Sequence, residues 1–254
     1  MTSAPWPGEV HTLFSDSNLG LKNRVTSGLD WVFENEDRAI ILEDDCLPDL
    51  SFFAFATELL ERYADDSRVG MISGNNFLRG RRIDANSYFF TPDARIWGWA
   101  TWKRTWREFS EQSAQRKWTT EEVTSLAAQL PASHRRSSLA NTAMNINFLD
   151  TWDVGFLLHW LSRTYLNVTP AKNLVTNTGF GRGATHTQFE SFTAEVPSEE
   201  LTFPLEHPAN VTVAASAGLA ESRALWRRLL VFPLVHPIDV IGRIIRYLSS
   251  RRQR

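Results

Sequence analysis

Three carboxylates stand in a row at Glu43-Asp44-Asp45, directly after the apolar run Ala39-Ile40-Ile41-Leu42. Such a short, wholly apolar run suits a strand buried on both faces beneath covering helices. Adjacent acids at its end repel one another, and a cation would supply the missing positive charge. In open α/β sheets the carboxyl ends of the strands are also where ligands bind. All-oxygen donors favour Mg²⁺ or Mn²⁺ over softer metals. The competing reading is a solvated acidic turn ahead of a helix, where carboxylates are welcome near the N-terminus.

The elements that must position these acids follow from periodicity. Val10 to Phe14 predicts a short strand, and the turn at Asp16-Ser17-Asn18 leads into a helix from about Gly20 to Glu36. After the acids, Pro48 and Ser51 announce a helix with Phe52, Phe55, Ala56, Leu59 and Leu60 on its inner side. Val69 to Ser73 predicts the next strand. Strand, helix, strand, helix, strand is the order of an α/β fold with right-handed crossovers. Further on, Ser87 to Thr91 is a candidate strand, and Arg95 to Trp106 is an irregular stretch rich in Trp and Gly. Glu121 to Gln129 and His134 to Asn147 have polar helical patterns, and Thr151 to Arg163 has a stronger one. Tyr165 to Val168 and Leu174 to Asn177 are short candidate strands.

From about Ala220 acids nearly vanish while arginines accumulate among apolar residues, and Pro233 and Pro237 divide this stretch into two short amphipathic helices. Neither approaches the ~20 apolar residues of a spanning helix. A basic amphipathic tail suits the surface of an anionic membrane; the alternative is a helical pair packed on the main body or on a second subunit. The expected organisation is a domain over 1–207 and a basic helical tail over 208–254.

Four stretches in order carry a family resemblance. Glu43-Asp44-Asp45, followed by Pro48-Asp49 and Phe52-Phe53, resembles the acidic motif of GT-A glycosyltransferases. It is most similar to family-2-like bacterial enzymes and to the Golgi N-acetylglucosaminyltransferase. Asn18-Leu19-Gly20-Leu21-Lys22-Asn23-Arg24 resembles the segment and helix beside the nucleotide, with Lys22 and Arg24 as donor-binding residues. Ile96-Trp97-Gly98-Trp99-Ala100-Thr101-Trp102 resembles the Gly-Trp segment below the reacting sugar, with Trp97, Gly98 and above all Trp99 as its platform. Asp150-Thr151-Trp152-Asp153 resembles the Trp-Asp element that supplies the catalytic base. The similarity runs from Val10 to Thr187.

The resemblance implies a Rossmann-like nucleotide-diphospho-sugar transferase fold, a mixed and mostly parallel sheet flanked by helices. It implies that Asp45 ligates Mn²⁺ or Mg²⁺ on the diphosphate of a nucleotide-sugar donor, expected to be a UDP-sugar, while Glu43 and Asp44 hold its hydroxyls. Asp153 is the implied base, with Asp150 its rival, in a reaction that inverts the anomeric carbon. A second reading makes Asp153 a helix cap. The glycine-rich Gly179-Phe180-Gly181-Arg182-Gly183-Ala184-Thr185-His186-Thr187 suits a loop over the diphosphate, with Arg182 on phosphate and His186 on the metal. Only Met1 to Leu42 precede Glu43, so the implied version of the fold lacks its first β-α unit and exposes a sheet edge.

Composition bounds the alternatives. A 43% hydrophobic share is ordinary for a folded chain, and a formal charge of −2 gives no support to nucleic-acid binding. Ten Trp and sixteen Phe suit either core packing or sugar stacking. The single cysteine, Cys46, excludes an intrachain disulfide and a multi-cysteine zinc site, and is expected to be a small buried hydrophobe. Met1 to Gly8 lack the pattern of a signal peptide. The expected place is the cytoplasm, at the inner face of the plasma membrane, in polysaccharide assembly with a glycan, lipid-linked or small acceptor. A non-catalytic remnant serving as a binding module is the alternative. A metal-dependent phosphohydrolase ranks last, because it needs more acidic ligands.

Overall fold

The computed structural model describes residues 8–112, 116–132, 151–179, 196–220 and 223. Helix α1 spans Gly20–Asn35 and opens where the Asn18 side chain accepts from the Gly20 amide at 2.8 Å. Strand β1 covers Arg38–Ile41 and β2 covers Cys46–Pro48. Helix α2 spans Leu50–Arg62, its first turn capped by the Asp49 carboxylate, which accepts from the Ser51 amide. Strands β3 (Val69–Ser73), β4 (Tyr88–Thr91) and β5 (Trp99–Trp102) follow. Helix α3 covers Lys103–Gln112, α4 covers Thr120–Gln129, and α5 covers Trp152–Arg163. Strands β6 (Leu166–Pro170) and β7 (Val175–Asn177) complete the set.

The fold is α/β, with a mixed sheet in the order β1-β5-β3-β6-β4 and a separate ribbon of β2 and β7. Among the described strands of this sheet the β3–β6 pair is parallel, while β1–β5, β3–β5 and β4–β6 are antiparallel. This corrects the expected mostly parallel sheet. The reason is an inserted strand. β1 and β3 run the same way with α2 between them in sequence, as a crossover requires. However, β5 lies between them and opposes both. The Trp-rich stretch that supplies β5 had no strand signature in the sequence.

Side-chain alternation across the sheet builds two cores. Ile72, Ala100 and Trp102 join Phe52, Phe55, Leu59 and Leu60 of α2 on one face. Met71 and Trp99 join Leu29 and Phe33 of α1, Trp106 and Phe109 of α3, and Trp152, Phe156 and Trp160 of α5 on the other. In β1, Ile40 packs against the first core while Ala39 and Ile41 pack against the second. Apolar side chains thus pack on both faces of β1, but the expected burial on both faces is only partial. As the edge strand of the sheet β1 is only half-buried.

Val10 to Phe14 forms no strand; Val10 and Phe14 are 71% and 78% exposed. An alternating pattern gives a strand only when a partner ladder is available, and Leu13 instead accepts from the Arg24 guanidinium through its carbonyl. Past the main body, the Ala214 amide donates to the Phe90 carbonyl at 2.9 Å, and Ala217 and Ala220 pack with Leu78 and Phe89. The start of the expected tail thus sits on β4. The helix expected over His134 to Asn147 and the rest of the tail lie outside the described residues. Among the described residues no helix is long and apolar enough to cross a membrane.

Phe55 and Phe14 separate core from surface. Phe55→Ala is expected to lower unfolding free energy by about 3–5 kcal/mol, because the ring is wholly buried. Phe14→Ala should stay within about 0.5 kcal/mol of the parent. Urea denaturation of both variants checks the contrast, and a comparable loss at Phe14 would place the N-terminal segment in the core.

Candidate functional site

The strand directions decide what meets at the end of β1. β1 and β3 both finish at one edge of the sheet, and β5, running the other way, begins there. Ile41 pairs with Trp99, so Gly98 and Trp97 arrive beside the point where the acidic triplet starts. Gly98 has φ 71°, in the left-handed region that glycine adopts without strain. A side chain there would also meet Val175 at 2.6 Å. The Gly74 amide donates to the Gly98 carbonyl at 2.8 Å, and the Leu174 amide donates to the Gly74 carbonyl at the same distance. Val175 thereby packs onto two bare backbones.

Val175 belongs to β7, which pairs with β2 in the register Cys46↔Asn177 and Pro48↔Val175. The acidic turn is consequently held at both ends, by β1 in the sheet and by β2 in the ribbon. Inside the turn the Cys46 amide donates to the Glu43 carbonyl at 3.1 Å. The Asp45 carbonyl accepts from the Thr178 amide at 2.9 Å and from the Thr178 hydroxyl at 3.1 Å. Cys46 itself is buried. Its thiol is pushed up to about 12, mainly by burial and further by the Asp45 and Glu43 charges. That makes it inert as a nucleophile, as expected of a buried thiol.

The opposite wall is the start of α5. Trp99 is wholly buried, its ring stacked on Trp152 at 6.2 Å and tilted against Phe156 at 5.5 Å. This fixes Asp153, in the first turn of α5, near the end of β1. The position before the helix belongs to Thr151, so Asp153 is not the cap. Trp99 Nε1 and Thr151 Oγ1, close to Asp153 along the chain and across the stack, are buried with no hydrogen-bond partner among the described residues.

Electrostatics show that the two walls face each other. Glu43 is pushed up from 4.5 to about 7, first by burial and then by the charges of Asp45, Asp153 and Asp44. Asp153 acts on Glu43 although the two are far apart in sequence. The site therefore carries more negative charge than it can easily keep.

Several expected residues fall elsewhere. The burial of Trp99 removes it as a sugar platform and makes it core; Trp97, edge-on to Phe77 at 5.5 Å, is the half-buried member of the pair. Arg24 spends its guanidinium on the Leu13 carbonyl, clamping the N-terminal segment to α1. Lys22 lies on the first turn of the same helix. Asp150, Arg182 and His186 lie outside the described residues. Asn177, expected only as a strand end, and Gly179, expected as the start of the glycine-rich loop, both touch Asp45, a contact the sequence did not show. Their one signal was an Asn two residues ahead of a Gly, the pattern of an Asx turn.

Because the folded chain holds the Glu43 proton to a higher pH than the unfolded chain does, stability falls as pH rises from about 4.5 to about 7. The neutral variant Glu43→Gln is expected to raise Tm relative to the parent at about pH 8 and to give no gain below about pH 4.5. Thermal melts across that range test it; a constant difference between the two proteins would show that Glu43 does not titrate in this window.

No family model matches the chain, and no curated protein matches it.

Proposed function

We propose that the chain transfers a sugar from a nucleotide-diphosphate donor to a hydroxyl acceptor, with Asp153 as the base and the Glu43-Asp45 turn as the donor site. The observation that carries this reading is the convergence of Asp153 on the acidic turn at the carboxyl edge of β1. The four resembling sequence stretches support it, because three of them supply that edge: the triplet, Trp97-Gly98 and Trp152-Asp153.

The residues fit a hard divalent cation, Mn²⁺ or Mg²⁺. Their donors are all oxygen; Glu43 is raised first by burial and then by the neighbouring carboxylates, and a cation's charge would relieve that second part. Among the described residues no three His, Cys, Asp or Glu side chains are grouped as a cage. A site built from one or two carboxylates and completed by substrate phosphates is the usual arrangement for Mg²⁺. Asp45 would hold the ion, and His186 is the proposed second ligand. When bound, the ion offsets the charge that builds on the departing diphosphate.

The chain's own groups divide the remaining work. Asp153 takes the proton of the acceptor hydroxyl as that oxygen bonds to the anomeric carbon. The bond from that carbon to the diphosphate breaks, and its electron pair leaves with the nucleoside diphosphate. Attack from the face opposite the leaving group inverts the centre. Glu43 and Asp44, the latter exposed at the turn, hold the donor's hydroxyls. Arg182 is the proposed diphosphate contact, Trp97 the sugar contact, and a UDP-sugar the first donor to try. The acceptor class proposed is a glycan or lipid-linked hydroxyl at a membrane surface in the cytoplasm, with the basic tail as a peripheral contact.

The rival reading is a binding module that keeps the fold without turnover. Calorimetry with nucleotide sugars and Mn²⁺ separates the two, together with a transfer assay. Saturable heat that Asp45→Ala abolishes is expected. Asp153→Asn should keep donor affinity while transfer falls about 10²–10⁴-fold. Donor binding without transfer in the parent would favour the module, and full turnover in Asp153→Asn would remove it as the base.

A further inference from the structure

The Asp45 carboxylate is held asymmetrically. Its Oδ1 accepts from the Asn177 side-chain amide at 3.4 Å and from the Cys46 thiol at 3.6 Å. Asn177 is buried, and its own oxygen accepts from the Gly179 amide at 2.8 Å. That turn brings the Gly179 α-carbon against the other oxygen, Oδ2, so closely that a β-carbon on residue 179 would collide with it. Two donors therefore occupy one oxygen, and an absent side chain leaves room for the other.

We propose that Asn177 is the positioning residue for Asp45. By anchoring Oδ1 it fixes the carboxylate's rotation, and with Gly179 it presents Oδ2 to a divalent cation. This rests on the reading of Asp45 as a cation ligand. Outer partners of this kind set the orientation of a ligating carboxylate, and their loss typically lowers metal affinity about 10–100-fold.

The test is titration of the intact chain with Mn²⁺ alone, reading free Mn²⁺ by electron paramagnetic resonance, with a melt for each variant. Asn177→Ala removes the anchor. Gly179→Ala keeps an ordinary backbone and pushes Oδ2 aside. Each is expected to weaken Mn²⁺ binding at least about tenfold. Thr178→Val, which removes only a bond to the Asp45 carbonyl, should leave the affinity unchanged. Should Asn177→Ala not fold, Gly179→Ala decides alone. Parental affinity in both variants, with binding lost in Asp45→Ala, would overturn the inference and leave the proposed function standing. Equal weakening by Thr178→Val would make the role of Asn177 merely structural and also overturn it. Mn²⁺ binding that survives Asp45→Ala, or none in the parent, would remove the proposed function and this inference together.

Discussion

The acidic turn keeps its place because Val175 packs into space where residues 74 and 98 carry no side chains. At Gly98 a β-carbon would meet Val175 at 2.6 Å, and at Gly74 it would collide outright. Only with both positions bare can β7 approach the carboxyl edge of the sheet. Once there, it pairs with β2 and fixes the residues that follow the acids. The Asp49 amide extends the hold by donating to the Leu174 carbonyl at 2.8 Å, carrying the ribbon into the cap of α2. Sheet, ribbon and helix α2 thus share one close-packed seam, with the three carboxylates beside it.

That arrangement concentrates like charge at modest depth. Burial and three neighbouring carboxylates together move Glu43 into the neutral range. Protein structures do not usually retain such a cluster against both desolvation and repulsion unless something else benefits. The second core shows how the opposing carboxylate is kept there. The Trp99–Trp152 stack, backed by Trp106 and Phe156, sets the start of α5 against the end of β1. Aromatic mass in this chain mainly fixes the geometry of the site from below, rather than lining it.

Much of the fold was legible because many of its elements are locally encoded. The 3.6-residue periodicity of α1 and α2 and the apolar runs of β1 and β3 appear in the sequence close to their final bounds. β5 was not legible. Trp99 to Trp102 owes its extended form to β1 on one side and β3 on the other, and it passes directly into α3. Without β5 the order and sense of the sheet could not be read, and the parallel expectation followed. Val10 to Phe14 erred the opposite way, since alternation without a partner makes no strand. At the site, the triplet and Asp153 were visible as residue types at suggestive positions. Asn177 was not, and Gly179 was visible only as part of a glycine-rich loop, because their contacts with Asp45 arise from the β2–β7 pairing. Trp99 was misplaced for a related reason: a tryptophan beside a glycine looks the same in sequence whether it faces a ligand or a core.

The proposed function requires that the acidic turn and the start of α5 form one cation site. Paramagnetic broadening by Mn²⁺ in an amide-resolved NMR spectrum tests it most directly. The account predicts saturable broadening of Asp45, Asn177 and Gly179 together with Asp153, at Mn²⁺ levels that leave the amides of α4 sharp. Broadening confined to the turn with Asp153 unaffected, or centred on carboxylates elsewhere such as Glu199 and Glu200, would contradict it.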